Sequence, residues 1–477
     1  MSLALLRNTG WGVLGEFAVR GAKLAQVVLI ARLLGAEDVG RFNYALSMAS
    51  LFSVLFDFGI VSIAVRELAR RPDTAVFRLY GRVKLFSSGT GIVLLGVAAA
   101  LAHVSPADGW FAFGMGVYLA LNDLSSYVLV SYRVRGEFWR ETAWRSASAV
   151  LQLVACAGAI VFTHQVEMIV AALVAAAVLS LLPLIKEWRS QPQSHGEISW
   201  REMASASRQC LPLACTVVAG SVYMNFDVIV LARHVSMEQV GWYGVAVKSI
   251  FGLMIMPLVY FQLASFPAFA ATLEVSIASA CGRWLRGFVM SSTVGAALSI
   301  LTAIFAEPLL MFLFGAAFVP AAPILVMFCA VGFMFYLYTP LSQWLLLQGN
   351  QRYTLYIQIV AMAANLSLVL RWVPRLGVWG AVGAAFVTHL SIAAIHAVVV
   401  FRSPDFATHR SDLHALARLI GGVACAFVLL HFQTFGPWLS KLLAVVAVGV
   451  PAHQEFKSLW FYLRHVNRKS NPVEPKI

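Results

Sequence analysis

Charge is scarce in this chain. Asp, Glu, Lys and Arg together make up 12% of its 477 residues, about half the usual share of a soluble domain. Acid is scarcer still, with 22 Asp and Glu against 35 Lys and Arg. A chain so poor in ionised groups has too little polar surface to wrap one soluble core of this size. The six cysteines, at 156, 210, 215, 281, 329 and 425, show neither CxxC nor Cys/His ligand spacing, so neither a disulfide framework nor a zinc site is expected. No G-x-x-x-x-G-K-[ST] run occurs and no loop is long enough for a nucleotide-binding domain, which excludes an ATPase site of the chain's own. Long polar loops of the kind that house the reaction centre of a membrane glycosyltransferase or polymerase are missing too. No enzymatic activity and no cofactor are expected. The first apolar segment is interrupted by charge and lacks a small-residue cleavage site, so it is expected to persist as a helix.

What is abundant is apolar sequence, 60% of the residues. Segments of about 20 apolar residues, enough to cross a hydrocarbon layer of roughly 30 Å, fall at 10–31, 42–65, 84–103, 110–131, 146–163, 167–186, 209–232, 241–266, 285–306, 322–348, 353–370, 377–401, 413–432 and 437–455. The fold class predicted is therefore an all-α polytopic membrane protein with about fourteen transmembrane helices. Its expected organisation is an N-terminal six-helix lobe at 1–186, a cytoplasmic linker at 187–208, a C-terminal six-helix lobe at 209–402, and two additional helices with a basic tail at 403–477.

Sorting the basic residues orients these spans, because Lys and Arg are retained on the cytoplasmic side. With the N-terminus inside, the inner loops and tail collect Arg66, Arg70, Arg71, Arg78, Arg82 and Lys84, then Arg133, Arg135, Arg140 and Arg145. Further along, Lys186, Arg189, Arg201, Arg208, Arg402, Arg410, Arg418, Lys457, Arg464, Arg468, Lys469 and Lys476 continue the bias. The outer loops keep Arg32, Arg41, Arg233, Arg371, Arg375 and Lys441. Both termini are expected in the cytoplasm. The net charge of +13 is then matched to the anionic lipids of the inner leaflet, and nucleic acid is not an expected partner.

A stretch near the start recurs almost halfway along. Residues 31–45, ARLLGAEDVGRFNYA, align without a gap on 232–246, ARHVSMEQVGWYGVA, with six identities: Ala31/Ala232, Arg32/Arg233, Glu37/Glu238, Val39/Val240, Gly40/Gly241 and Ala45/Ala246. Both copies sit at the polar turn joining one long apolar segment to the next. Membrane proteins built from related halves are commonly transporters, since two similar bundles can alternate about a substrate site.

Charges within the spans are candidates for that site, because an Arg, Lys or Asp at mid-bilayer costs roughly 2.5–3.5 kcal/mol and must face the protein interior. Glu16, Arg20 and Lys23 share one face of the first helix at spacings of four and three. They form either a local Glu16–Arg20 pair or part of a cationic cavity. Lys248, early in the second helix of the second half, is a further cavity cation or a residue snorkelling to the interface. Asp57, Asp123 and Asp227 are intramembrane acids that either pair with cations or carry a coupling ion. His389 and His396, seven residues apart, are read as packing residues in preference to a proton relay.

The opening Asn8, Trp11, Lys23, the run Ala31 to Gly35, Val39, Gly40 and Phe42 to Ala45, followed by Phe56 to Gly59 and Arg66 to Arg70, resembles bacterial oligosaccharide or O-antigen flippases. Asn225 to Ile250 is similar to the family's repeat, and Leu345 to Arg352 fits as well, although Ser236 stands where the first copy has a glycine. Such flippases belong with drug exporters and lipid II flippases in the multidrug/oligosaccharidyl-lipid/polysaccharide exporter superfamily. The resemblance implies a V-shaped alternating-access exporter in the bacterial cytoplasmic membrane that moves undecaprenyl-pyrophosphate-linked oligosaccharide for O-antigen, capsule or exopolysaccharide biosynthesis. It also implies the pyrophosphate at Arg20, Lys23 and Lys248 and polysaccharide assembly proteins as partners, while coupling to H+ or Na+ is expected from Glu16, Asp57 and Asp123, which serve either as ion carriers or as partners of the basic residues. A cation-coupled multidrug exporter of the same superfamily is the alternative, which should prefer an acidic, aromatic cavity. A membrane glycan polymerase or glycosyltransferase is a more distant one.

Overall fold

A computed structural model describes residues 3–70, 74–101, 106–190, 198–252, 277–403, 406, 410–432 and 439–453. Those residues are helical almost throughout, and each of the fourteen expected spans overlaps a helix. In chain order these are α1 (Leu3–Leu33), α2 (Ala36–Asp57), α3 (Ile60–Arg70), α4 (Thr74–Leu101), α5 (Pro106–Val128), α6 (Val130–Val134), α7 (Phe138–Thr163), α8 (Val166–Ser190) and α9 (Trp200–Ala232). Then follow α10 (237–252), α11 (Ile277–Ile304), α12 (Ala306–Phe314), α13 (Ala322–Leu347), α14 (Gln351–Leu376), α15 (Val378–Phe401), α16 (Arg410–Phe432) and α17 (Leu439–His453). Ten helical stretches among the described residues are long and apolar enough to cross a membrane. This is an all-α multi-pass membrane protein.

Several helices begin well before their apolar run. α2 starts at Ala36 where hydropathy suggests 42, α4 at Thr74 for 84, and α7 at Phe138 for 146. The cause is that the backbone ladder continues through polar side chains at the membrane edge, while hydropathy registers the lipid-facing stretch alone. Arg78, Arg82 and Lys84 consequently lie within α4, not in the inner loop that their charge suggests. The tail lysines and arginines from 457 onward, and Arg71, lie outside the described residues.

Local sequence fixes the joints. Gly35 turns the chain between α1 and α2 with φ 96°, a left-handed conformation that glycine adopts without a Cβ clash. In the second copy of the repeat Ser236 does the job differently, its hydroxyl accepting from the Gln239 N–H at the start of α10. Phe58 and Gly59, both at positive φ, end α2 and restart the helix as α3, with the Phe58 N–H returning to the Val54 carbonyl. Asp57 stands immediately before this break. Ser199 and Glu202 form a capping box at the start of α9.

The chain forms two compact units, residues 1–244 with 313–318 and 366–381, and residues 245–312 with 319–365 and 382–477. Within the first, α2 packs on α4, α5 and α9, α1 lies along α7, and α8 closes on α5 and α7. Within the second, α11 packs on α13 and α16 around buried Trp284, whose ring stacks on Phe288 at 5.3 Å and meets Trp344 at 5.0 Å. His389 and His396 face the same unit's aromatics, His389 4.6 Å from Phe335 and His396 6.2 Å from Tyr338. Both histidines thus sit in an aromatic stack, the environment expected of packing residues.

Candidate functional site

Three helices of the first unit each turn a polar stripe toward a common cavity of about 140 Å³. α1 supplies Ala22, Lys23 and Gln26, α5 supplies Tyr118, Asn122, Ser125 and Ser126, and α7 supplies Trp144, Arg145, Ser148 and Gln152. The spacings of three and four within each helix place these groups on one face. Close approach of α1 to α7 is aided at Gly15, where an added Cβ would lie 2.8 Å from the Thr142 methyl.

Gln152 organises the wall. Its side-chain oxygen accepts from the Tyr118 hydroxyl at 2.8 Å, and its nitrogen donates to Asn122 Oδ1 at 2.7 Å and to Ser148 Oγ at 3.1 Å. Ser148 continues to Ser180 on α8 at 3.0 Å. Gln152 and Tyr118 are almost fully buried, so this network holds the amides in fixed directions inside a low-dielectric bundle. Among the described residues, Lys23 and Arg145 are the cations of the lining and no carboxylate joins them. A small, net cationic, amide-rich cavity suits an anionic ligand that also carries hydroxyl groups.

One residue beyond Asn122, the chain faces a different site. Asp123 turns away from the cavity toward Lys84, which has no exposed surface, and the Asp57 carboxylate meets the same ammonium at 3.3 Å. The break at Phe58–Gly59 sets Asp57 at the very end of α2, α4 brings Lys84 and α5 brings Asp123. A buried ammonium demands counter-charge, and two carboxylates supply it. Asp57 and Asp123 therefore pair with a cation, and the cation is Lys84 rather than a residue of the first helix.

The other expected site residues are placed as follows. Lys23 and Arg20 are both exposed on α1; Lys23 lines the cavity and Arg20 is not among the lining residues. The side chain of Glu16 lies outside the described residues. Lys248 is half-exposed on α10 and belongs to the second unit. Asp227, on α9, accepts from the buried Tyr243 hydroxyl of α10 and from its neighbour's backbone N–H at 2.8 Å. Among the described residues no group of three His, Cys, Asp or Glu side chains is arranged to hold a metal ion.

Sequence reasoning missed Arg145, Gln152, Tyr118 and Lys84 as site residues. Arg145 and Lys84 were sorted into inner loops by charge, yet both lie on helices within the bundle. The available signal was polar periodicity: Arg145, Ser148 and Gln152 recur at three and four residues, as do Tyr118, Asn122 and Ser125.

The model of a family described as "Polysaccharide biosynthesis protein" matches residues 5–273, more than half of the chain. The chain belongs to this family. A curated relative of this family member, the succinoglycan biosynthesis transport protein ExoT of Rhizobium meliloti (strain 1021), is 22% identical over 323 residues. That match covers 67% of this chain and 64% of ExoT, so the chain spans somewhat less than two thirds of that relative's length. Among solved structures, lipid II flippase MurJ in an inward closed conformation superposes with a TM-score of 0.71 at 13% identity, covering 94% of this chain and 99% of MurJ. An inward-facing MATE family multidrug transporter of the MOP superfamily superposes at 0.61 with 15% identity, covering 80% and 94%. At such identities the likeness establishes the fold: this polysaccharide biosynthesis family member has the architecture shared by MurJ and MATE transporters.

Proposed function

We propose that the chain flips undecaprenyl-pyrophosphate-linked oligosaccharide from the inner to the outer leaflet of a bacterial cytoplasmic membrane, for O-antigen, capsule or exopolysaccharide assembly. The observation that carries this reading is the net cationic, amide-lined cavity of the first unit in a member of a polysaccharide biosynthesis family. A diphosphate needs cations, and the cavity offers Lys23 and the half-buried Arg145, with Arg20 and Lys248 as further cations on its path. Sugar hydroxyls need directional amides and hydroxyls, the chemistry of Asn122, Gln152 and Ser148.

Lobes at 1–186 and 209–402 joined by the linker at 187–208 would alternate access, with the helices of 403–477 beside the polyprenyl chain and both termini in the cytoplasm. Coupling to H+ or Na+ belongs to Asp57, Asp123, Asp227 and Glu16 in this reading, although Asp57 and Asp123 also serve as counterions of Lys84. Polysaccharide assembly proteins are the proposed partners. A drug exporter would bind lipophilic cations, which Lys23 and Arg145 repel.

Ligand binding separates the two. Purified protein should bind an undecaprenyl-pyrophosphate disaccharide at least tenfold more tightly than rhodamine 6G. Equal or reversed preference would move drug export ahead.

A further inference from the structure

α2 stops inside the apolar stretch Ala36–Leu68, and the residue at which it stops is a phenylalanine. Phe58 holds φ 48°, a left-handed conformation that a bulky side chain rarely adopts, and Gly59 follows at φ 71° before the helix resumes as α3. Such strain persists only where the surroundings hold it in place. α4 supplies that hold from one face. The break takes the Leu55 and Phe56 carbonyls out of the helical ladder, and two hydroxyls stand in for the missing N–H groups: Ser87 Oγ donates to the Leu55 carbonyl, and Ser88 Oγ to that of Phe56 at 3.5 Å. One turn earlier on the same face of α4, Lys84 brings its ammonium to the Asp57 carboxylate at 3.3 Å and to Asp123 of α5.

A helix C-terminus carries partial negative charge. With two carboxylates beside it, this end of α2 is the kind of place where interrupted membrane helices hold a metal cation among backbone and side-chain oxygens. Here a side chain takes that place. Lys84 has no exposed surface, whereas the Asp57 and Asp123 side chains keep 32% and 22% of theirs. The ammonium is therefore the inner member, shielded by acids that themselves reach the surface. Arg66, a basic side chain of neighbouring α3, pairs with Glu67 at 3.1 Å. Two acids against one base leave the cluster with one net negative charge, and taking away the lysine would double it in an interior that solvates charge poorly.

We infer that Lys84 is a tethered cation standing where a sodium ion would otherwise bind, so that Asp57, Asp123 and the end of α2 form a monovalent-cation site occupied by the chain itself. A tethered cation is present at every salt concentration and cannot be released. The site is consequently full in Na+-free medium, and only removal of the ammonium opens it to a free ion. Sodium suits the vacated place because it is a hard, singly charged cation that takes oxygen ligands and restores the charge balance of the wild type. The consequence for function rests on the transport reading above: with Lys84 in place no Na+ enters between Asp57 and Asp123, and a Na+ carried in the cycle falls to Asp227 or Glu16.

Melting of the purified protein in detergent, with Na+ exchanged for N-methylglucamine at constant ionic strength, tests this without any substrate. Lys84→Met, lacking the tethered charge, should gain about 3 °C or more from Na+ beyond any change in wild type, through binding to the folded form. That gain should disappear in Lys84→Met/Asp57→Asn, which keeps a single acid. A Lys84→Met protein that gains no more than wild type, or whose gain survives Asp57→Asn, would overturn the inference. If Lys84→Met does not insert, Lys84→Gln, whose amide still donates to one carboxylate, carries the same comparison with the same two outcomes. No glycan enters the measurement, so Na+ rescue in a protein that flips nothing keeps the cation site and discards the transport reading, whereas flipping without rescue does the reverse.

Discussion

The Lys84 ammonium lies against the Asp123 carboxylate inside the first unit, joined there by Asp57 from the broken end of α2. Two acids around one buried base make the lysine the indispensable member. Lys84→Met leaves two carboxylates facing each other without a cation, and a loss of about 3–5 kcal/mol is expected from stranding buried charge. Asp57→Asn or Asp123→Asn alone leaves a neutral pair and should cost far less. Thermal unfolding of the detergent-solubilised protein should rank Lys84→Met well below either asparagine variant; equal melting would show that the cluster is not a structural ion pair.

Gln152→Leu removes the hub that joins Tyr118, Asn122 and Ser148. Leaving those groups without their partner should cost about 1–3 kcal/mol, with the chain still inserted and monodisperse. Transport should fall by more than stability, because the amides lose their fixed directions. Gln152→Glu, which keeps the acceptor for Tyr118 but replaces the amide donor to Asn122 and Ser148 with a second acceptor and adds negative charge beside Arg145, should weaken binding of an anionic ligand further; the comparison of the two affinities checks this.

Arg145→Lys retains charge but not the fork that matches a phosphate, so it should bind a diphosphate less well than wild type and better than Arg145→Ala. The order Arg, Lys, Ala should hold for an undecaprenyl-pyrophosphate glycan and flatten for the same lipid without phosphate. Isothermal titration in matched detergent reads it directly.

In the second unit, Trp284→Ala removes a fully buried ring stacked on Phe288 and packed at a tilt against Trp344. A loss of about 3–5 kcal/mol is expected for emptying such a site. Melting of this variant checks that the aromatic cluster is a main source of that unit's stability.

The helices were legible in the sequence because lipid demands unbroken apolar length, a signal that is strong in α4, α8, α13 and α15 and weaker in α1, α9 and α17. Helix ends were not, since Thr74, Arg78 and Arg82 of α4 are polar and hydropathy cannot tell a solvated helix turn from a loop. The repeat at Gly40 and Gly241 was visible as sequence similarity, but that its two copies pack on each other depends on tertiary placement. Of the cavity lining, Lys23 is one of the intramembrane charges the sequence singles out, although it is exposed on α1. Arg145 was not, because charge sorting treats any basic residue near a span's end as a loop residue, and Gln152 carries no charge to draw notice. Asp57 and Asp123 were recognised as needing partners, while the partner itself required knowing that α4 runs deeper than its apolar stretch.

The measurement that bears most directly on the account is translocation of a short fluorescent undecaprenyl-pyrophosphate oligosaccharide in proteoliposomes of controlled sidedness, with and without an H+ or Na+ gradient. Wild-type protein should flip it, and a Lys23→Ala/Arg145→Ala variant that inserts and melts normally should lose at least tenfold in rate. Absence of wild-type flipping across several glycans, or equal flipping by the variant, would contradict the account, the first in its substrate and the second in its site.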